Sequence, residues 1–304
     1  MLEWIFSENF LCGVISYAVP IIFAAYASLI SNKAGIAAIN IEGSMSVAAM
    51  TGALVSHFSG SWGVGLLAAV AAGMLMMYIL AVSALHLKAD SFLCGIALNT
   101  FANGVCLLVV KGVLDGHTDT STAPSTRIPN LTVPGLSRIP VIGKALFDQN
   151  MLFYIMLGCL AFLIILLNRT EMGVRIRAVG HNPAASASVG ISVKKTRTVA
   201  LLICGAMAGL GGAYLSMANL GYFSCGMVSG RGFIGIAAES MGLSMPGKTT
   251  LFALLFGAVD FFAVGSQTVI TFPYELLNTL PYLMTLAALV IYAVLRRRKS
   301  DERH

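Results

Sequence analysis

The sequence predicts an all-α polytopic membrane protein with about eight to nine membrane-spanning helices. Of its 304 residues, 57% are hydrophobic and only 11% are charged, and the mean hydropathy is +0.84. Soluble domains contain about 25% charged residues, so this composition indicates a chain surrounded by lipid. Because lipid cannot satisfy exposed backbone polar groups, each apolar run is expected to be a helix.

Eight apolar windows are long enough to cross about 30 Å of hydrocarbon. They lie near residues 10–30, 36–57, 63–87, 91–110, 151–168, 197–220, 249–272 and 276–295. A ninth stretch, residues 226–246, is apolar overall but carries Arg231, Glu239 and several glycines. These residues interrupt a membrane helix, so the stretch is predicted to be a broken or re-entrant segment.

Positive charges predict the orientation, since Lys and Arg remain in short loops on the cytoplasmic side. Six of them lie within residues 169–197, and the tail at residues 296–304 is also basic, so both segments are predicted to be cytoplasmic. The N-terminus has no Lys or Arg before Lys33. It is predicted to be extracytoplasmic, together with the polar loop at residues 111–150. This orientation requires an odd number of crossings, so residues 226–246 would have to span.

The net charge of +6 is explained by membrane topology. A nucleic-acid-binding surface would place basic residues in one stripe with aromatic residues, whereas here they flank the apolar windows. The six cysteines have no paired spacing, so neither a disulfide framework nor a metal site is indicated. The five histidines are isolated, and no H-E-x-x-H or G-x-S-x-G pattern indicates an embedded enzyme.

Residues 177–197, RAVGHNPAASASVGISVKKTR, contain a short predicted helix flanked by positive charges. Asn182 is a good N-cap, Pro183 is favoured at the first helical position, and Gly190 is a favoured stop. The helix would have about two turns and a length near 10 Å. Its small residues would fit a groove on another protein. An ordinary cytoplasmic loop whose charges only set the topology explains the spacing equally well.

Four motifs occur in order along the chain: AGIAAINIEGSM at residues 34–45, LKADSFLCGIALNTFANG at 87–104, GHNPAASASVGISV at 180–193 and GRGFIGIAA at 230–238. Together they resemble ABC importer permeases of the family that serves branched-chain amino acids, ribose-type sugars and nucleosides. They are most similar to the nucleoside-type members. The second motif departs from the family pattern at Lys88, where the family has Arg.

This resemblance implies a single transmembrane permease domain over residues 1–304, paired with a second permease subunit that is a distinct paralogue. ABC ATPase subunits would bind on the cytoplasmic side, an extracytoplasmic substrate-binding lipoprotein would bind on the other, and the complex would lie in a bacterial inner membrane. The segment at residues 169–197 would be the coupling-helix loop. The residues that contact the ATPase would be Gly180, Asn182, Pro183, Ala184, Ala185 and Gly190.

The chain is not expected to hydrolyse ATP itself. A phosphate loop has the pattern G-x-x-x-x-G-K-[ST], and GLSMPGKT at residues 242–249 fits that spacing. This stretch lies at the entrance of a predicted membrane helix, however, and not between a strand and a helix, which is the context that a phosphate loop requires. ATP and Mg²⁺ would therefore be bound by the partner ATPase, and this chain would be a permease without a cofactor of its own rather than an enzyme.

Polar residues inside the apolar windows are candidates for the substrate pathway, because they are costly in lipid and usually face a path or a partner. The candidates are Asn40, Glu42, Asn99, Asn103, Arg231, Glu239, Asp260 and Gln267. Alternatively, Asn99 and Asn103 bond a neighbouring helix. For Arg231, pairing with Glu239 or Glu42 to fix the broken segment is favoured over contact with substrate.

The sequence therefore predicts an ATP-driven importer permease that carries a small neutral polar solute by alternating access, with nucleosides as the expected cargo. Import of a ribose-type sugar or a branched-chain amino acid is an alternative that shares every motif. An ion-coupled secondary transporter is another alternative, because Glu42, Glu239 and Asp260 could carry protons. That alternative leaves the Asn-Pro segment without a role.

Overall fold

The computed structural model describes residues 8–132 and 148–266, and within these ranges the chain is mostly helical. The helices are α1 (Glu8–Lys33), α2 (Ile41–Ser59), α3 (Trp62–Ala81), α4 (Ser91–Val113), α5 (Met151–Arg169), α6 (Glu171–His181), α7 (Pro183–Ser188), α8 (Val193–Ala213), α9 (Arg231–Met241) and α10 (Pro246–Ser266). Two π-helical turns, Val82–His86 and Tyr214–Leu220, continue α3 and α8. The strands β1 (Asn130–Thr132) and β2 (Asp148–Asn150) pair antiparallel.

Six of the described helices are long and apolar enough to cross a membrane. They are α1, α3 and α8 with their π-helical turns, α4, α5 and α10, and each matches a predicted window. A multi-pass membrane protein is thereby confirmed. The window at residues 276–295, the basic tail at 296–304 and the candidate Gln267 lie outside the described residues.

Several helices begin where their sequence signals predict. The side chains of Asp90, Asn150, Thr170 and Asn182 each accept a hydrogen bond from a backbone N–H in the first turn that follows. These first-turn N–H groups have no partner within their own helix, so a side-chain acceptor stabilises the helix start. Four helix boundaries thus follow from local chemistry alone.

The core is built around α1, whose residues 18–30 are almost completely buried. Helices α8, α9 and α10 all pack against it. Small residues allow the closest crossings: a Cβ on Gly73 of α3 would overlap the backbone of Gly205 and Gly209 in α8. This is the close helix approach expected of Gly-xxx-Gly spacing. By contrast, only a minority of the residues in α4, α5 and α10 are buried.

The start of α2 lies inside the bundle and not at its end. Residues 34–40 connect α1 to α2, and Ala34, Ile36, Ala38 and Asn40 are buried in alternation along this connection. The predicted window at 36–57 is therefore wrong at its start, because helix α2 begins only at Ile41, after a connection of turns and irregular chain. The N-terminus of α2 therefore contacts other helices instead of solvent.

The stretch predicted to be broken, residues 226–246, contains turns on both sides of α9. With 11 residues, α9 is about 16 Å long, which is too short to cross the hydrocarbon layer alone. Glycines and polar residues at both ends explain why the helix does not continue. Gly230 precedes it with a φ of +81°, a conformation that favours glycine.

The described part of the predicted loop at 111–150 covers one end of the bundle. Thr120, Ser125 and Ile128 donate backbone hydrogen bonds to Phe223, Gly221 and Met217, near the end of α8. Helix α4 occupies the start of the predicted loop, since it extends to Val113. In the same segment, hydrogen bonds from the Ser121 hydroxyl and N–H lower the pKa of the exposed Asp119 carboxyl.

Candidate functional site

Glu42, in the first turn of α2, caps the N-terminus of α9. Its Oε1 accepts the N–H of Gly230 at 2.8 Å, and its Oε2 accepts the N–H of Gly232 at 2.7 Å. These N–H groups have no partner inside α9, and the positive end of the helix dipole favours a carboxylate there. A Cβ on Gly232 would lie 2.7 Å from the Glu42 backbone, so only glycine permits this approach.

Arg231 forms an ion pair with Asp260 of α10, with Nη2 and Oδ2 3.3 Å apart. Its guanidinium carbon also lies 5.3 Å from the ring centre of Tyr17 in α1, within cation–π distance. The predicted pairing of Arg231 with Glu239 or Glu42 is therefore wrong. Glu42 already uses both oxygens on backbone N–H groups, and Glu239 lies about 12 Å further along α9.

Asn99 joins α4 to the start of α2. Its Oδ1 accepts the N–H of Gly43 at 2.8 Å, and its Nδ2 donates to the carbonyl of Ile39 at 3.0 Å. Asn40 is fully buried and donates to the carbonyl of Met76 at 3.5 Å. These are the interhelical hydrogen bonds of packing residues in membrane helices. Asn103, one turn further along α4, is exposed instead.

Glu239 belongs to a second polar group, near the other end of α9. It is buried and accepts hydrogen bonds from Asn32, Ser244 and, at 3.4 Å, the Ser28 hydroxyl. The structure thus divides the predicted pathway residues. Those gathered around the first turns of α2 and α9 are Asn40, Glu42, Asn99, Arg231 and Asp260, whereas Glu239 and Asn103 lie apart from them.

The site also contains three residues that the sequence analysis did not identify as members: Tyr17, Gly230 and Gly232. A lone tyrosine in an apolar window carries no signal, because aromatic residues are common throughout membrane helices. The two glycines stand out in GRGFIGIAA, but their role as donors to Glu42 depends on a contact between residues almost 190 positions apart. No local pattern could have identified that contact.

The predicted coupling segment folds as its sequence indicates. Helix α7 begins at Pro183, and the Asn182 Oδ1 accepts the N–H of Ala185 at 3.0 Å. Gly190 has a φ of +84° and ends the segment. Ala184 and Ala185 are exposed. The helix therefore has local start and stop signals and presents small side chains outward, while Ser186 is buried against its neighbours.

A cleft of about 480 Å³ lies beside α7, between α6 and the start of α8. Arg175 and Lys195 line it together with apolar groups that include Val189 and Ile191. Val189 is 74% exposed. The surface around α7 therefore combines a small projecting helix with a hollow that is partly basic and partly apolar, a combination suited to a protein partner.

Comparison with known proteins identifies the family of this chain. A sequence model of the family described as branched-chain amino acid transport system / permease component matches residues 10–295. The guanosine ABC transporter permease protein NupQ of Bacillus subtilis is 34% identical over 284 residues, which cover 90% of this chain and 88% of NupQ. The nucleoside ABC transporter permease protein NupC of Lactococcus lactis is 32% identical over 294 residues, covering 92% and 90%.

A third relative, the putative glucose ABC transporter permease protein TsgC13 of Haloferax volcanii, is 28% identical over 314 residues, covering 96% of this chain and 93% of TsgC13. All three alignments extend over almost the whole length of both proteins. The same holds for the family match, which includes the polar ends of α2 and α9 as well as α7. This chain belongs to the family of branched-chain amino acid transport system permease components.

Proposed function

We propose that this chain is the transmembrane permease subunit of an ATP-driven importer that carries nucleosides, delivered by an extracytoplasmic binding protein. The observation that carries the proposal is the similarity, over nine-tenths of the chain, to two permeases named for guanosine and nucleoside transport. The mechanism would be alternating access, driven by ATP and Mg²⁺ bound to a partner ATPase. A second permease subunit, a distinct paralogue, would complete the membrane part.

The exposed helix α7 is the proposed contact with the ATPase. Its N-cap and its C-terminal glycine define where the helix begins and ends. Ala184 and Ala185 would enter a groove on the ATPase, and the neighbouring cleft with Arg175 and Lys195 would accept an acidic or apolar projection of that partner. Within this contact, Gly180, Asn182, Pro183 and Gly190 would shape the segment.

A neutral cargo is supported by charge compensation around the first turns of α2 and α9. The Glu42 carboxylate is satisfied by two backbone N–H groups, and Asp260 is paired with Arg231. The cluster therefore carries little net charge toward a passing solute. Asn103, Arg231 and Asp260 are the proposed pathway contacts among the described residues. Their side chains are at least partly exposed and, unlike those of Glu42 and Asn99, do not bond the backbone of a neighbouring helix.

The proposed orientation places α7 and the C-terminus in the cytoplasm and the N-terminus outside, in a bacterial inner membrane. Lys and Arg residues support it, since those next to α7, from Arg169 to Arg197, flank the ends of α5 and α8. With eight to nine membrane segments in total, residues 226–246 would enter the membrane as a re-entrant or spanning unit built on α9.

Uptake of labelled solutes tests the proposal. Vesicles carrying this chain with its co-purifying partners would be supplied with purine and pyrimidine nucleosides, ribose, glucose and leucine, with and without ATP. We expect nucleoside uptake that stops without ATP. Vesicles whose ATPase partner is inactivated are the matched control.

Other outcomes of the same assay would change the proposal in defined ways. Uptake of glucose, ribose or leucine in place of nucleosides would keep the importer and overturn the cargo. Uptake that continues without ATP and is abolished by an ionophore would overturn the importer and favour an ion-coupled secondary transporter.

A further inference from the structure

The two ends of the segment that carries α7 converge on one short stretch of chain. Gly180, before α7, packs so closely on the end of α1 that a Cβ there would overlap the Lys33 carbonyl oxygen. Arg197, after α7, donates from Nε to the carbonyl of Ala34 at 3.1 Å and from Nη2 to that of Gly35 at 3.5 Å. Residues 33–35 are therefore held from both sides by the segment that carries α7.

The same region of chain also holds both ends of α9. We define the α1–α2 segment as residues 28–42. At its beginning, Ser28 and Asn32 donate to the buried carboxylate of Glu239, near the C-terminal end of α9. At its end, Glu42 caps the N-terminus of α9. Two carboxylates thus tie an 11-residue helix to one continuous piece of chain.

Helix α9 connects this segment to the polar cluster. Its first residue is Arg231, which forms the ion pair with Asp260 of α10. Interactions among buried or half-buried polar groups are stronger than in water because the surroundings screen them weakly. A short helix that is bonded at both ends will move with its attachments more readily than it will bend.

From these contacts we infer that Arg197 and Glu239 are positioning residues that transmit a displacement of α7 to α9, and through α9 to the Arg231–Asp260 pair. The order of contacts is α7, residues 33–35, the α1–α2 segment, α9 and α10. This inference rests on the proposed function, because it assumes that a partner ATPase displaces α7. It assigns a transmission role to residues that touch neither the ATPase nor the cargo.

The test compares Arg197→Met with Arg169→Met in vesicles that contain the complete complex. Both changes remove one cation from the same end of the bundle, but Arg169 is exposed, whereas Arg197 bonds the carbonyls of Ala34 and Gly35. The quantity measured is the amount of nucleoside transported per ATP hydrolysed. We expect Arg197→Met to lower this ratio about two- to thirtyfold, the range for residues in a coupling network. Arg169→Met should leave it unchanged.

A second variant separates transmission from folding. Asn32→Ala removes a donor to Glu239 from an exposed residue, so assembly of the complex should be preserved. We expect the transport ratio to fall in the same direction, with ATP hydrolysis unchanged. Glu239→Gln retains one acceptor oxygen. Its ratio of nucleoside transported to ATP hydrolysed should therefore be no lower than that of Asn32→Ala and should stay below that of the unmodified chain.

The inference would be overturned if assembled complexes with Arg197→Met and Asn32→Ala transport as much nucleoside per ATP as the unmodified chain. A parallel loss of transport and ATP hydrolysis would also overturn it, because that result indicates a structural or docking role. Failure of the proposed function is distinguishable from both, since it would appear in the unmodified chain as uptake that does not need ATP.

Discussion

The polar ends of α2 and α9 and the exposed helix α7 satisfy their polar groups in opposite ways. At the first, the polar side chains are bonded to other helices: Glu42 to the N-terminus of α9, Asn99 to the start of α2, and Arg231 to Asp260. Arg231 also donates locally, to the carbonyls of Met227 and Val228. At the second, the cap bond of Asn182 is to Ala185, three residues away. The first region depends on tertiary contacts, whereas the cap of α7 is local and tertiary contacts hold the ends of the segment that carries it.

The two regions show how polar residues in a membrane permease should be interpreted. A buried polar group must be bonded, because an unbonded one costs several kcal/mol in lipid. A polar residue in an apolar window is therefore first evidence for a hydrogen bond between helices, and only secondarily evidence for contact with substrate. A small, self-capped and exposed helix needs no such bonds, so its surface remains available for a partner. Substitutions should affect stability in the first region and coupling in the second.

The largest effect is expected from Ala184→Arg with Ala185→Arg. Both positions are exposed, so the fold should be retained, with a stability change within about 0.5 kcal/mol. Two long cations would prevent α7 from entering a groove on the ATPase. We expect ATP-driven uptake to fall about tenfold or more, which corresponds to 1.4 kcal/mol or more of lost interaction, while ATP hydrolysis continues.

Uptake and ATP hydrolysis in vesicles measure this effect. The matched control is Ala184→Ser with Ala185→Ser, which keeps the small size and should behave like the unmodified chain. Normal uptake by the arginine variant would show that α7 has no role in coupling. The proposed difference in function between α7 and the polar ends of α2 and α9 would then be lost.

A smaller effect is expected at the ion pair. Arg231→Met and Asp260→Asn should each lower the stability of the purified complex by about 1–3 kcal/mol, less than the 3–5 kcal/mol of a fully buried pair, because the side chains are 16% and 17% exposed. The double variant should be more stable than the sum of the two losses predicts. Thermal unfolding of the unmodified chain, the two single variants and the double variant measures this coupling. Strictly additive losses of stability would contradict an interaction between Arg231 and Asp260.

Glu42→Gln should act on stability to a similar or smaller extent. Glutamine keeps one acceptor oxygen but turns an amide donor toward the N–H of Gly230 or Gly232, so one of these groups loses its partner. The expected loss is about 1–3 kcal/mol, measured by thermal unfolding of the purified complex. Asp119→Asn on the exposed loop removes a carboxylate outside the helix bundle and is the control. Full stability combined with lost uptake would instead make Glu42 a substrate contact.

The smallest effect is expected from Asn182→Ala, which removes the cap of α7. The loss should be about 0.5–2 kcal/mol of local helix stability, with the global stability unchanged. Hydrogen exchange at the Ala185 amide measures it, since that N–H donates to Asn182. Asn182→Ser should retain the slow exchange, because serine is an equivalent N-cap. Unaltered exchange in the alanine variant would show that α7 is held by contacts beyond its own sequence.

The membrane class, the positions of six apolar helices and the limits of α7 could all be predicted from the order of residues along the chain. Each of these depends on residues close together in the chain: the length of an apolar run, or an Asn-Pro start followed by a glycine stop. The starts of α4 and α5 are equally local, since Asp90 and Asn150 cap the turns that follow them. Local signals of this kind do not depend on how the helices later assemble.

The tertiary structure alone decided how the polar residues are paired. Arg231, Glu42 and Asp260 were recognisable as a set of charges, but their partners depend on the depth and rotation of three helices. The buried start of α2 at Ile41 and the close approach at Gly232 bring Glu42 to α9, and this leaves Asp260 for Arg231. Charge is a property of the residue, whereas its partner is a property of the packing, and for that reason the sequence alone could not assign it.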